Sequence, residues 1–125
     1  MKRLYIALAL LSAAIIFSIS SYFTINKKID KIIELMEIDR EITIMTTEPD
    51  ETRTKAITDA WEENETYLVS MLTHQELEEV EIGIMCLPDY LNQGFTEEYI
   101  KTLNECINHL YHIKETEKAD TKNIF

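Results

Sequence analysis

Leu4 to Ile25 reads LYIALALLSAAIIFSISSYFTI, 22 residues without a charge. As a helix the run reaches about 33 Å at 1.5 Å per residue, enough to cross a hydrocarbon core of about 30 Å. Lys2 and Arg3 precede it, and Asn26-Lys27-Lys28 follows it. Two readings compete with a membrane span. One is a cleavable signal peptide, for which Ser18-Ile19-Ser20 supplies a small-x-small site. The other is the buried helix of a soluble protein. Tyr22, Phe23 and Ile25 keep the run apolar past the cleavage site, so an uncleaved signal-anchor in residues 1–26 is the expectation. Basic residues favour the cytoplasm. Lys2 and Arg3 are compact, whereas Lys27, Lys28 and Lys31 are diluted by Asp30 and Glu34. The expected localisation is therefore the cell membrane, single-pass through residues 4–25, with an extracytoplasmic C-terminal domain. No Cys lies near the run, which excludes a lipoprotein-type anchor.

The rest of the chain is acidic. The net charge is −11, and Lys2 and Arg3 lie ahead of the apolar run, so residues 26–125 carry −13. Such a surface repels phosphate backbones and anionic headgroups, which excludes nucleic acid as a partner. Two Gly and two Pro in 125 residues leave little material for phosphate-cradling loops.

Beyond Asn26 the apolar residues recur at helical spacing. Ile29, Ile32, Ile33 and Met36 form one stripe, and Leu35, Ile38, Ile42 and Met45 a second, so the first helix runs on to about Met45. Pro49 is expected in the first turn of the next helix, to about Leu72, with Ile57, Ala60, Trp61, Leu68, Met71 and Leu72 on one face. Thr73-His74-Gln75-Glu76 reads as a capping box opening a third helix. Its stripe is Leu77, Val80, Ile84, Leu87 and Leu91. Ile82, Met85 and Cys86 make a second apolar side, which predicts burial between neighbours. Gly83 suits a close approach there, and Pro88 is expected to bend or shorten the helix. Gly94 suits a C-terminal cap. Thr96 is expected to cap the fourth helix, whose inner stripe is Ile100, Leu103, Ile107 and Leu110 and which should fade near Thr116. The expected fold is all-α: an N-terminal transmembrane helix continuing into a small antiparallel bundle of three or four helices. The bundle is assigned to residues 27–118, and residues 119–125 to a polar tail with an apolar end.

Candidate chemistry is sparse. Glu105, His109 and His112 share one stripe, within about 60° of one another at 100° per residue, and are ligand types that suit zinc. The apolar stripe of that helix centres about 180° away, so the trio reads first as a solvated face that would need a fourth ligand from elsewhere. Cys86 and Cys106 are the only thiols, expected as buried free thiols rather than a disulfide, and no C-x-x-C is present. The acids at Glu62-Glu63-x-Glu65 and Glu76-x-Glu78-Glu79-x-Glu81 lack a calcium-loop pattern. No serine elbow, zincin or kinase signature occurs. No cofactor and no enzymatic activity are expected.

Several features occur together: the basic-plus-apolar start, the helical Trp61, Leu-Thr-His-Gln-Glu-Leu at 72–77, and the ending His112-Ile113-x-Glu115-x-Glu117 with Asn123-Ile124-Phe125. In these the chain resembles an uncharacterised family, a domain of unknown function in small membrane-anchored proteins of Gram-positive bacteria. Ala119 stands where the family pattern has Pro. The resemblance implies a helical fold and membrane anchorage and brings no activity, cofactor or site residue. The functional expectation is a membrane-anchored, non-catalytic helical interaction module that binds another protein or itself. The alternative is a metal- or small-ligand-sensing domain acting with a partner. Asn123, Ile124 and Phe125 are expected either to fold back beside the first helix or to dock on a partner.

Overall fold

The computed structural model describes residues 1–72 and 75–124, and side chains through residue 119. It holds four helices: α1 (Lys2–Thr46), α2 (Glu51–Met71), α3 (Gln75–Gln93) and α4 (Thr96–Ile124). Each packs against two others in the cyclic order α1, α2, α3, α4. Cross-helix pairs fix the directions. Lys28 meets Asn64, and Asp39 meets Arg53, so α2 runs antiparallel to α1. Asp30 meets Lys114, Glu37 meets Tyr111 and Arg40 meets Asn104, so α4 does the same on the other side. The fold is an up-and-down four-helix bundle, and the second half of α1 is one of its members.

The first half of α1 stands apart. Residues 1–20 are exposed along their whole length, and the helix is long and apolar enough to cross a membrane. Helix is the only open conformation that satisfies every backbone N–H and C=O of such a segment internally. From Ile25 onward one face of the same helix is buried: Ile25, Ile29, Ile32, Ile33, Met36, Asp39 and Thr43.

That list departs from the apolar periodicity. The first stripe is continued at the next helical steps by Asp39 and Thr43, while Ile38 and Met45 are exposed and Leu35 and Ile42 half-buried. Spacing of three and four residues governs which positions face inward, and here it places polar residues there. The same holds in α4, where the innermost side chain of the first turn is Tyr99 rather than Ile100. In α3 the main stripe is buried from Leu77 through Leu87 and half-buried at Leu91, but Ile82 and Met85 are 61% and 66% exposed and are not sandwiched.

The helix ends show their chemistry. Thr47 closes α1 at φ 60°, its N–H on the Thr43 carbonyl at 2.8 Å. Asp50 caps α2, accepting from the Arg53 N–H, so Pro49 lies just ahead of the cap and not in the first turn. Gly94, at φ 72°, ends α3 with its N–H on Leu91 and the Phe95 N–H on Tyr90. This paired closure needs a left-handed residue. Thr96 lies inside the first turn of α4, because the Tyr99 N–H bonds the Phe95 carbonyl. Helix α3 continues through Pro88 to Gln93, and α4 continues past Thr116 to Ile124. At Gly83 an added Cβ would collide with Cys106 Sγ, so α3 and α4 approach closely there as Gly83 suggested.

Candidate functional site

The polar residues that periodicity sends inward form one network. Asp39 is 1% exposed. Its Oδ1 accepts from Arg53 Nε at 2.9 Å and from the Thr43 hydroxyl at 3.2 Å. Its Oδ2 accepts from the Tyr99 hydroxyl, which has one proton to give. The Thr54 hydroxyl therefore shares its one proton between Tyr99 at 2.6 Å and the Asp50 carbonyl at 2.9 Å. Burial first, and the bond to Asp39 second, push the Tyr99 phenol well above its usual range. A neutral, proton-holding Tyr99 suits an anionic Asp39. The network ties α1, α2 and α4 together at the end of the bundle away from the apolar half of α1. Its donors and acceptors are matched internally, so its chemistry is that of a structural lock. A second polar layer joins α1 to α2 nearer the apolar half. Lys28 donates to Asn64 Oδ1 at 2.8 Å, Asn64 donates to the Ala60 carbonyl, and Lys28 sits 5.2 Å from the centre of the Tyr67 ring.

The residues singled out from the sequence are distributed differently. His109 and His112 do share a face of α4, and that face meets α3. His109 Nδ1 lies 3.5 Å from Glu76 Oε2, and His112 Nδ1 contacts Glu76 Oε1. Glu105 is exposed and does not join them. Among the described residues no group of three or more His, Cys, Asp and Glu side chains is placed to hold a metal ion. Thr73, His74 and Phe125 lie outside the described residues, and so do the side chains of Asn123 and Ile124. The capping box at Thr73 and the docking expected of the last three residues therefore fall outside them too. Cys86 and Cys106 are both free thiols. Burial, then the charges of Glu105 and Cys86, push the Cys106 thiol up to about 12, which leaves it a non-nucleophilic core side chain.

What faces outward between α2 and α3 is a groove of about 460 Å³. Ile84, Met85 and Pro88 supply apolar wall, Trp61 lines it, and Glu62, Glu65 and Glu81 bring carboxylates to it. The hydrogen bond with Glu81, then burial, then repulsion from Glu81 and Glu62 raise the Glu65 carboxyl above its ordinary value. Trp61 is 3% exposed, and its indole N–H has no acceptor among the described residues. The signal for the groove was present in the sequence as the second apolar side of α3 and the acids of both helices. Reading the first as a buried face hid it.

The chain belongs to the family described as Domain of unknown function (DUF4363), whose model matches residues 17–124. The match begins inside the apolar run and takes in the whole bundle. Comparison with curated proteins and with solved structures finds no match.

Proposed function

We propose that the protein is a single-pass, membrane-anchored, non-catalytic module that presents its acidic bundle to a protein partner outside the cytoplasm. The observation that carries this reading is the continuity of α1. One helix runs from the exposed apolar half, where Leu4, Ile6, Leu10 and Phe17 are each at least 60% exposed, into a core position at Asp39. Exposed apolar surface of that extent needs a cover, and a bilayer of matching thickness is one. A helix shared between anchor and core fixes the bundle relative to the membrane with no linker to flex. The buried polar groups of the Asp39 network are spent on one another, which favours recognition by the outer surface over chemistry within. The charge of −13 on residues 26–125 opposes face-to-face pairing of two copies and favours a partner of opposite sign.

Two measurements test this. Ala119→Cys, in a chain with Cys86→Ser and Cys106→Ala, should react with a membrane-impermeant maleimide on intact cells. Labelling seen only after lysis would refute the orientation. Photocrosslinking in native membranes, from probes spread over the outer faces of α2, α3 and α4, should give a discrete heteromeric adduct. Adducts to lipid alone, from every position, would refute the interaction role.

A further inference from the structure

The groove between α2 and α3 has features that the bundle itself does not use. Its carboxylates crowd one another: Glu62, Glu65 and Glu81 all line the same groove, and the charges of Glu81 and Glu62 help to raise the Glu65 carboxyl. Bringing like charges together on a surface costs free energy unless a cation relieves it. The cations that the structure pairs go elsewhere: Lys28 to Asn64, Arg40 to Asn104, Arg53 to Asp39, Lys114 to Asp30. Beside the acids lies apolar wall, with Met85 66% exposed and Ile82 61% exposed on the same helix. Trp61 lines the groove while itself almost wholly buried.

A site with carboxylates and an aliphatic wall fits one kind of occupant. Lys and Arg carry a cationic head on an apolar stem. A second copy of this chain is disfavoured by its charge. An anionic lipid surface is disfavoured by the same argument.

We propose that this groove takes a Lys or Arg side chain from a basic amphipathic segment of the partner protein. The cationic head sits between Glu65 and Glu81, and the stem lies on Met85 and Pro88. This assignment rests on the interaction reading above and names its surface. Trp61 is the only tryptophan in the chain, so its emission reports the groove directly.

The test uses the full chain in nonionic detergent at low salt, titrated with a synthetic Lys/Leu amphipathic peptide lacking Trp. The counterpart has Glu in place of Lys. The Lys/Leu peptide should bind saturably, with a change in Trp61 emission, and the Glu/Leu peptide should not. Glu65→Gln with Glu81→Gln should weaken binding roughly threefold to thirtyfold, the scale of two ion pairs partly screened by water. Glu97→Gln with Glu98→Gln removes the same charge from the exposed first turn of α4 and should leave binding unchanged. Equal weakening in both variants would overturn the site in favour of general charge attraction. The same Trp61 change with spermidine or calcium at equal concentration would overturn it in favour of a small-cation site. Absence of saturable binding would overturn it outright. A crosslinked partner whose adduct survives Glu65→Gln with Glu81→Gln would sink the groove while leaving the interaction role standing. Peptide binding at the groove with no protein adduct in membranes would keep the groove and sink the role.

Discussion

Arg53→Met asks whether the Asp39 network is held by charge. Arg53 Nε lies 2.9 Å from Asp39 Oδ1, and the Asp39 side chain is 1% exposed against 24% for Arg53. Removing one partner of a buried pair costs about 3–5 kcal/mol, because a desolvated charge is left behind. Arg53 is partly open to water, and Asp39 keeps two hydroxyl donors, from Thr43 and Tyr99. Both facts place the loss at the lower end, about 3 kcal/mol. Tyr99→Phe deletes one hydrogen bond to a charged acceptor, worth about 1.5–3 kcal/mol. It keeps the aromatic volume, so it should cost less than Arg53→Met.

The assay is thermal unfolding of the full chain in nonionic detergent, followed by Trp61 emission, because detergent keeps the apolar half of α1 helical throughout. In a domain of about 100 residues, 1 kcal/mol moves Tm by roughly 4–8 °C. Arg53→Met should therefore lower Tm by more than about 10 °C. Asp39→Asn in that background removes the charge that lost its partner and should recover at least about 1 kcal/mol. If the double variant is no more stable than Arg53→Met, the buried charge is not what Arg53 compensates. A loss under about 1 kcal/mol for Arg53→Met would refute the reasoning at its first step.

Two other sites give sharp expectations. Gly83→Ala should destabilise by about 1–3 kcal/mol through overpacking against Cys106 Sγ, although Ala is the better helix former. Adding Cys106→Ala should restore most of that loss in the same melt, and failure to restore would mean that the close approach lies elsewhere. Glu65 has a carboxyl raised by Glu81, burial and Glu62, so the fold favours its protonated form. The repulsion is absent below the unfolded Glu value and appears as pH rises through the higher folded one. Glu65→Gln should thus exceed the wild type at neutral pH, by less than about 1 kcal/mol at a half-buried site still screened by water. The difference should close on acidification toward the ordinary Glu range. A gap that is constant with pH would rule out the repulsion.

Most of the architecture can be read from this sequence because it is written in local signals. The uncharged run, the stripe Ile29-Ile32-Ile33-Met36 and the left-handed Gly94 each act within a helix or at its end. The misreadings share one origin, the equation of buried with apolar. Counting three and four onward from Met36 lands on Asp39 and Thr43, and the geometry buries whatever stands there. Their polarity becomes tolerable only through Arg53, Thr54 and Tyr99, which come from other helices. Conversely, Ile82 and Met85 look like core residues until α2 and α4 are seen to cover other faces of α3. The pairing of His109 and His112 with Glu76 is of the same kind. On α4 alone Glu105 is their natural third member, and only the register of α3 against α4 offers Glu76 instead.

The positions of the two polar layers bear on how the bundle holds its shape. Lys28 and Asn64 join α1 to α2 near the apolar half, and the Asp39 network joins α1, α2 and α4 at the other end. Both include α1. A hydrophobic stripe alone would tolerate sliding of one helix past another by a turn, since apolar contacts are non-directional. A buried carboxylate with three fixed donors does not tolerate such a slip, because every alternative register leaves it unpaired. With register locked at both ends of the bundled half of α1, force applied to the outer faces of α2 and α3 would be carried to α1 as a rigid unit rather than absorbed by helix slippage. The groove lined by Glu65 and Glu81 lies on those same two helices. This predicts that Arg53→Met, read at a temperature where the bundle is still folded, weakens binding of the Lys/Leu peptide no more than about twofold, since the network shapes the bundle and does not touch the groove.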